Sequence, residues 1–154
     1  MRPTIEIDDP LSRFSLAVFA LNGLLTRNGD RLTRPLNQSS ARWQVLGRAG
    51  YQPRTVAQMA RELGLARQSV QRVADALAAD GLVGYRDHPG DRRTKLVELT
   101  ARGARTLAAI HANYGQWSEQ VMTQLDGAQL STIAGALEDI ARVLAANIDE
   151  GISP

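Results

Sequence analysis

The chain has 154 residues, of which 44% are hydrophobic and 22% charged, enough for one domain with a real core and unlike the composition of a disordered or fibrous protein. It contains no cysteine, which excludes disulfides, zinc sites of the cysteine type and a thiol switch. The net charge is only +2, but it is unevenly placed: residues 1–50 hold seven Arg and four acids, residues 51–99 eight Arg or Lys and six acids, and residues 100–154 three Arg and six acids.

The opening residues include Glu6, Asp8 and Asp9 where a signal peptide would be basic and then apolar, so the cytoplasm is the expected location. No apolar run approaches the roughly 20 residues of a membrane span, and no membrane partner is expected. Asp9-Pro10 reads as a helix start. Leu11, Phe14, Val18, Leu21, Leu24 and Leu25 follow at three- and four-residue steps, predicting an amphipathic helix to about Arg31. Pro35 breaks it, and the polar run Asn37-Gln38-Ser39-Ser40 caps a second helix with Trp43, Val45 and Leu46 on its apolar side. Residues 50–53 end that helix, and Thr55 caps a third through Leu63. Gly64 turns the chain into a fourth, over about 67–79, that Asp80-Gly81 stops.

After Gly81 the period becomes extended, with Leu82, Val83 and Tyr85 before a polar gap and Leu96, Val97 and Leu99 after it, which predicts a β-hairpin. The gap, residues 87–94, contains Pro89-Gly90 and is expected to project as a loop. Thr100 caps a long helix carrying Leu107, Ile110, Tyr114, Trp117, Val121 and Leu125. A last helix begins at Asp126, where Asp126 and Gln129 have capping-box spacing, and continues through Leu130, Ile133, Leu137, Ile140, Leu144 and Ile148. No repeat, low-complexity stretch or linker interrupts this order, so a single domain over 1–154 is expected.

Residues 56–73 have helix-turn-helix spacing. Small Ala60 admits the second helix, Gly64 tolerates a positive φ, and Met59, Leu63, Leu65, Val70 and Val73 are expected to fill the wedge between the helices. The face left over, Arg67, Gln68, Ser69, Gln71 and Arg72, holds the residue types that read base edges and grip phosphates, with no acid between Leu63 and Val73. An ordinary helical hairpin with a polar outer face would share the spacing. It would not require the hairpin downstream, whose Arg92, Arg93 and Lys95 sit where a wing reaches the minor groove. Asp91 would be repelled by phosphate, so it is expected to pair with a wing arginine and fix the shape of the loop.

These residues resemble the MarR family, the multiple-antibiotic-resistance type of transcriptional regulator. The likeness runs over about residues 42–103. It comprises Arg42-Trp43-Gln44-Val45-Leu46, the helix-turn-helix, Asp80-Gly81-Leu82-Val83, Pro89-Gly90-Asp91-Arg92-Arg93 and Leu99-Thr100-Ala101-Arg102-Gly103. The resemblance implies that Asp91 and Arg93 are the family's Asp-x-Arg wing element, with Arg93 the minor-groove residue. It also implies a cavity between the first, second and fifth helices for a small aromatic effector. Ala66 departs from the pattern, since a Ser or Thr often caps the recognition helix there.

His88 and His111 have no carboxylate and nucleophile at catalytic spacing, and no glycine-rich phosphate loop follows a strand, so no enzyme, cofactor or metal is expected. His111, Tyr114 and Trp117 read first as core and interface residues, and otherwise, with Trp43 and Arg13, as an effector wall.

The expected fold is α+β and mostly α: a winged helix-turn-helix region over about 38–100, with dimerisation helices over about 9–34 and 100–150. The expected function is sequence-specific binding of double-stranded DNA by a homodimer on a near-palindromic operator, with repression as the sign of control. The candidate contacts are Thr55, Arg67, Gln68, Ser69, Gln71, Arg72, Arg92, Arg93 and Lys95, with Asp91 shaping the wing. The alternative is a winged helix used as a protein-interaction module, which does not call for three cations on the wing.

Overall fold

Helix boundaries in the computed structural model, which describes residues 9–149, trace to residues that satisfy or cannot satisfy backbone groups. The acidic positions Glu6 and Asp8 lie outside the described residues. Helix α1 (Pro10–Thr33) starts at Asp9, whose carboxylate accepts from the Ser12 N–H at 3.0 Å, with Pro10 in the first turn where it forfeits no bond. Pro35 lies in a single 3-10 turn (Arg34–Leu36), and Asn37 reverses the chain at φ 55°. Ser39 then caps α2 (Ser40–Tyr51).

A two-residue strand, β1 (Arg54–Thr55), precedes α3 (Val56–Leu63), α4 (Arg67–Ala79), β2 (Val83–His88), β3 (Asp91–Leu99), α5 (Ala101–Met122) and α6 (Gly127–Asp149). The sheet is antiparallel in the order β1-β3-β2. The sequence offered no sign of β1, because two residues carry no periodicity. Asp126 accepts from the Ala128 and Gln129 N–H groups at the start of α6.

The described chain divides into two compact units, one ending at Tyr114 and the other beginning at Gly115. The core of the first is built from Val45, Leu46, Met59, Val70, Ala74, Leu77, Val97 and Ile110, each at most 1% exposed, so that α2, α3, α4, the sheet and α5 share one apolar interior. Thr100 knits the end of the hairpin to the start of α5: its hydroxyl donates to the Gly81 carbonyl at 2.7 Å and accepts from the Gly103 N–H at 3.0 Å. The second unit holds the end of α5 and α6, where Ile133, Val143, Leu144 and Ile148 are exposed. Among the described residues no helix is long and apolar enough to cross a membrane.

Candidate nucleic-acid interface

The helix-turn-helix follows from local chemistry at each of its joints. Thr55 and Gln58 form a reciprocal capping box at the head of α3, the Thr55 Oγ1 accepting from the Gln58 N–H at 3.1 Å and the Gln58 Oε1 from the Thr55 N–H at 2.9 Å. Gly64 closes α3 at φ 64°, with the Leu65 N–H reaching back to the Ala60 carbonyl at 2.9 Å. Met59, Ala60 and Val70 are buried between α3 and α4, with Leu63 and Val73 packed against them. Leu65 does not join them: at 46% exposed it sits on the outside of the turn, because the three-residue reversal after Leu63 carries it away from the wedge.

Arg67, Gln68 and Arg72 are exposed on α4 and Ser69 is half-buried. The guanidinium groups of Arg67 and Arg72 have no acidic partner among the described residues, whereas Arg42, Arg48, Arg54 and Arg86 are all in ion pairs. Ala66 at the head of α4 supplies no side-chain acceptor and its carbonyl takes the Ser69 N–H at 3.0 Å, so the Arg67 and Gln68 N–H groups remain for solvent or a phosphate.

The wing differs from the projecting eight-residue loop that its composition suggests. Its turn is only Pro89 and Gly90, and the strands run to the tip. Asp87 pairs with Lys95 and His88 with Asp91, so residues 92–94 have no residue opposite them and bulge from the ladder. Asp91 fastens this bulge. Its carboxylate accepts from the Arg93 backbone N–H at 2.9 Å and from the Thr94 hydroxyl at 2.6 Å, in place of the arginine side chain expected from sequence. The Thr94 bond and then the Arg93 bond hold the Asp91 carboxyl below its ordinary value. Arg92 and Arg93 are exposed with no acidic partner among the described residues, while Lys95 pairs with Asp87 across the hairpin.

Between α4 and the wing lies an open cleft of about 390 Å³, lined by Thr55, Arg67, Gln71, Arg93, Thr94 and Lys95 among others. The structure thus brings together predicted residues from three elements. Thr55 is buried, and its hydroxyl serves as the cap of α3. Gln71 is also engaged: its Nε2 donates at 3.0 Å both to the Asp75 Oδ1 and to the Tyr85 hydroxyl, and Tyr85 donates to the same carboxylate oxygen at 2.6 Å. Partial burial, followed by the bond to Asp75 and its charge, pushes the Tyr85 hydroxyl up to about 12. The bond from Tyr85, then that from Gln71, lowers Asp75.

Sequence reasoning missed Asp75 and Tyr85. The i, i+4 spacing of Gln71 and Asp75 was a usable signal, but Tyr85 read as one more apolar strand position. Elsewhere in this unit, Trp43 meets Tyr114 and His111 edge to face, with ring centroids 5.4 and 6.5 Å apart. Arg42, which also falls in the resembled segment, is structural: it pairs with Asp80 at 2.6 Å and so ties α2 to the end of α4.

A model of the MarR family matches residues 37–94, from the turn before α2 to the tip of the wing. An uncharacterized protein of Mycobacterium tuberculosis is 41% identical over 104 residues, which cover 68% of this chain and 73% of the relative. Among solved structures, MarR of E. coli in its apo form is 24% identical with a TM-score of 0.67, over 86% of this chain and 97% of that one. MepR of S. aureus, solved in complex with DNA, is 17% identical with a TM-score of 0.71, over 85% of this chain and 97% of that one. The likeness to these two structures is one of fold.

Proposed function

The chain belongs to the MarR family of winged helix-turn-helix transcription regulators, and from that premise we propose that it binds a specific double-stranded DNA site as a homodimer and represses transcription there. The observation that carries the reading is the cleft, in which a helix bearing Arg67 and Arg72 faces a wing bearing Arg93, none of the three with an acidic partner among the described residues. Helix α4 supplies hydrogen-bonding side chains to the major groove, and the Arg92-Arg93 bulge supplies cations to the adjacent minor groove, whose potential attracts arginine. That MepR was solved in complex with DNA is consistent with this use of the fold. A two-fold dimer would set its two copies of α4 on half-sites roughly 34 Å apart, which calls for a near-palindromic operator.

The same reading places the protein in the cytoplasm, without catalytic activity, and includes release by a small aromatic anion. The edge-to-face group of Trp43, Tyr114 and His111 supports an aromatic site.

The test is binding to duplexes drawn from the region upstream of the gene, followed by footprinting. A protected inverted repeat whose affinity exceeds that of a scrambled duplex at least a thousandfold, the order expected of specific binding, supports the reading. Equal affinity for both duplexes would refute it. Titration of a panel of aromatic carboxylates into the complex tests the effector.

A further inference from the structure

Gln71, Asp75 and Tyr85 close a three-membered ring of hydrogen bonds between α4 and β2, and valence fixes the direction of its shortest member. The phenol has one hydrogen, which goes to the Asp75 Oδ1 at 2.6 Å, so the phenol oxygen accepts from Gln71. The Gln71 Nε2 donates to that same carboxylate oxygen and to the phenol, both at 3.0 Å, and because these two acceptors stand only 2.6 Å apart one bifurcated amide hydrogen serves both. We propose that Asp75 and Tyr85 are positioning residues that lock the wing to the recognition helix and hold the Gln71 amide in one orientation at the wall of the cleft, a proposal that rests on the DNA-binding reading above.

An isolated carboxylate in a cleft for a polyanion would be repelled; here Asp75 has two donors of its own and acts as the hub that joins helix to strand.

The experiment compares the full-length wild type with Tyr85→Phe, which keeps the ring of a side chain that is 40% exposed and removes one hydroxyl. Circular dichroism and thermal unfolding establish that the variant folds. In the free protein, amide hydrogen exchange over residues 83–99 is expected to quicken in Tyr85→Phe while exchange in α2 stays unchanged. On the operator, Tyr85→Phe is expected to weaken binding about tenfold, as loss of a hydrogen bond to a charged group does. The penalty for Arg93→Ala is then smaller in the Tyr85→Phe background than in the wild type, because a displaced wing has less contact to lose. Gln68→Ala costs the same in both backgrounds.

Unchanged wing exchange, or an Arg93→Ala penalty identical in the two backgrounds, would overturn the lock. If the wild type bound no duplex while wing exchange still rose in Tyr85→Phe, the lock would stand and the DNA-binding reading would fall.

Discussion

Gly103 lies so close to Leu82 that a Cβ added to it would stand 1.8 Å from the Leu82 carbonyl oxygen and 2.8 Å from the carbonyl carbon. The obstacle is backbone and is pinned on both sides. The Leu82 N–H donates to the Leu77 carbonyl at 2.9 Å, and the Leu82 carbonyl accepts from Thr100 at 3.1 Å. Neither partner can retreat without breaking the junction between the wing and α5. Gly103→Ala is therefore expected to cost about 3 kcal/mol, the upper end for overpacking a site that cannot yield. Gly47→Ala is the control: its Cβ meets nothing within 4 Å inside α2, so helix propensity should make it neutral or stabilising by up to about 1 kcal/mol. Thermal or urea unfolding of both variants checks the pair, and equal stabilities would refute the account.

Asp91 gives the wing an acid dependence of defined sign. Its carboxyl is lowered from 3.8 in the folded chain by the Thr94 and Arg93 bonds, so its contribution is present above that value and is lost as the pH falls through the lower, folded one. The Arg93 and Thr94 amide resonances are expected to hold steady from neutral pH to about 4 and to move below it. In Asp91→Asn they should be displaced already at neutral pH. Resonances that moved together near pH 6 in the wild type would assign the change to another group.

Tyr85 supplies the alkaline counterpart. Its hydroxyl is raised from 10.0 to about 12, so the stability it adds is complete below 10 and is lost between 10 and 12. In a spectrophotometric titration, Tyr85→Phe should remove a phenolate step near pH 12. It should also abolish the part of the stability loss that falls within that window. A step lost near 10 would place the hydroxyl in solvent.

The helices and the helix-turn-helix were legible because each of their ends carries its own chemistry: Asp9, Ser39, the Thr55 and Gln58 pair, Gly64, and Gly81 at φ 72° all lie where local rules put them. What the sequence hid depends on pairing between distant segments. Strand β1 exists through its partners on β3, Arg54 with Val97 and Thr55 with Leu96. The bulge at residues 92–94 exists because the β2 and β3 registers disagree across the tip. Leu65 misled because hydrophobicity marks a residue that can be buried, and the geometry of the turn decided otherwise. In the candidate site the arginines were legible by type. The engagement of Gln71 was not, since it needs a hydroxyl 14 residues away in sequence.

Assembly is predicted from surface that the single chain leaves uncovered. On α1, Leu16, Phe19, Leu24 and Leu25 are each more than half exposed, and on α6 Ile133, Val143 and Ile148 are exposed as well, more large apolar side chains than a monomer ordinarily shows to water. Light scattering at micromolar concentration should give twice 16.7 kDa. Phe19→Glu and Ile148→Glu should shift the equilibrium toward monomer. A monomer that bound operator-length DNA as a single copy would refute the dimeric reading.

The two basic elements are expected to do different kinds of work. The Arg93 side chain extends from the bulge with no acidic partner among the described residues, and its expected contribution is to affinity through phosphate and minor-groove potential. Arg93→Ala should therefore weaken operator and scrambled duplex alike, by about 1–2 kcal/mol, and make the salt dependence shallower by about one counterion per subunit. Gln68 and Arg72 stand on α4, whose inner face is locked by Val70, Ala74 and Leu77 at 0–1% exposure, and a rigid scaffold of that kind can hold a side chain against a base edge. Substituting either should cost about 1–3 kcal/mol on the operator and leave scrambled DNA nearly unaffected. A salt titration of each variant on both duplexes distinguishes the two classes. Loss on both duplexes for Arg72→Ala would reassign it to a phosphate, and wild-type binding by Arg93→Ala would remove the wing from the interface.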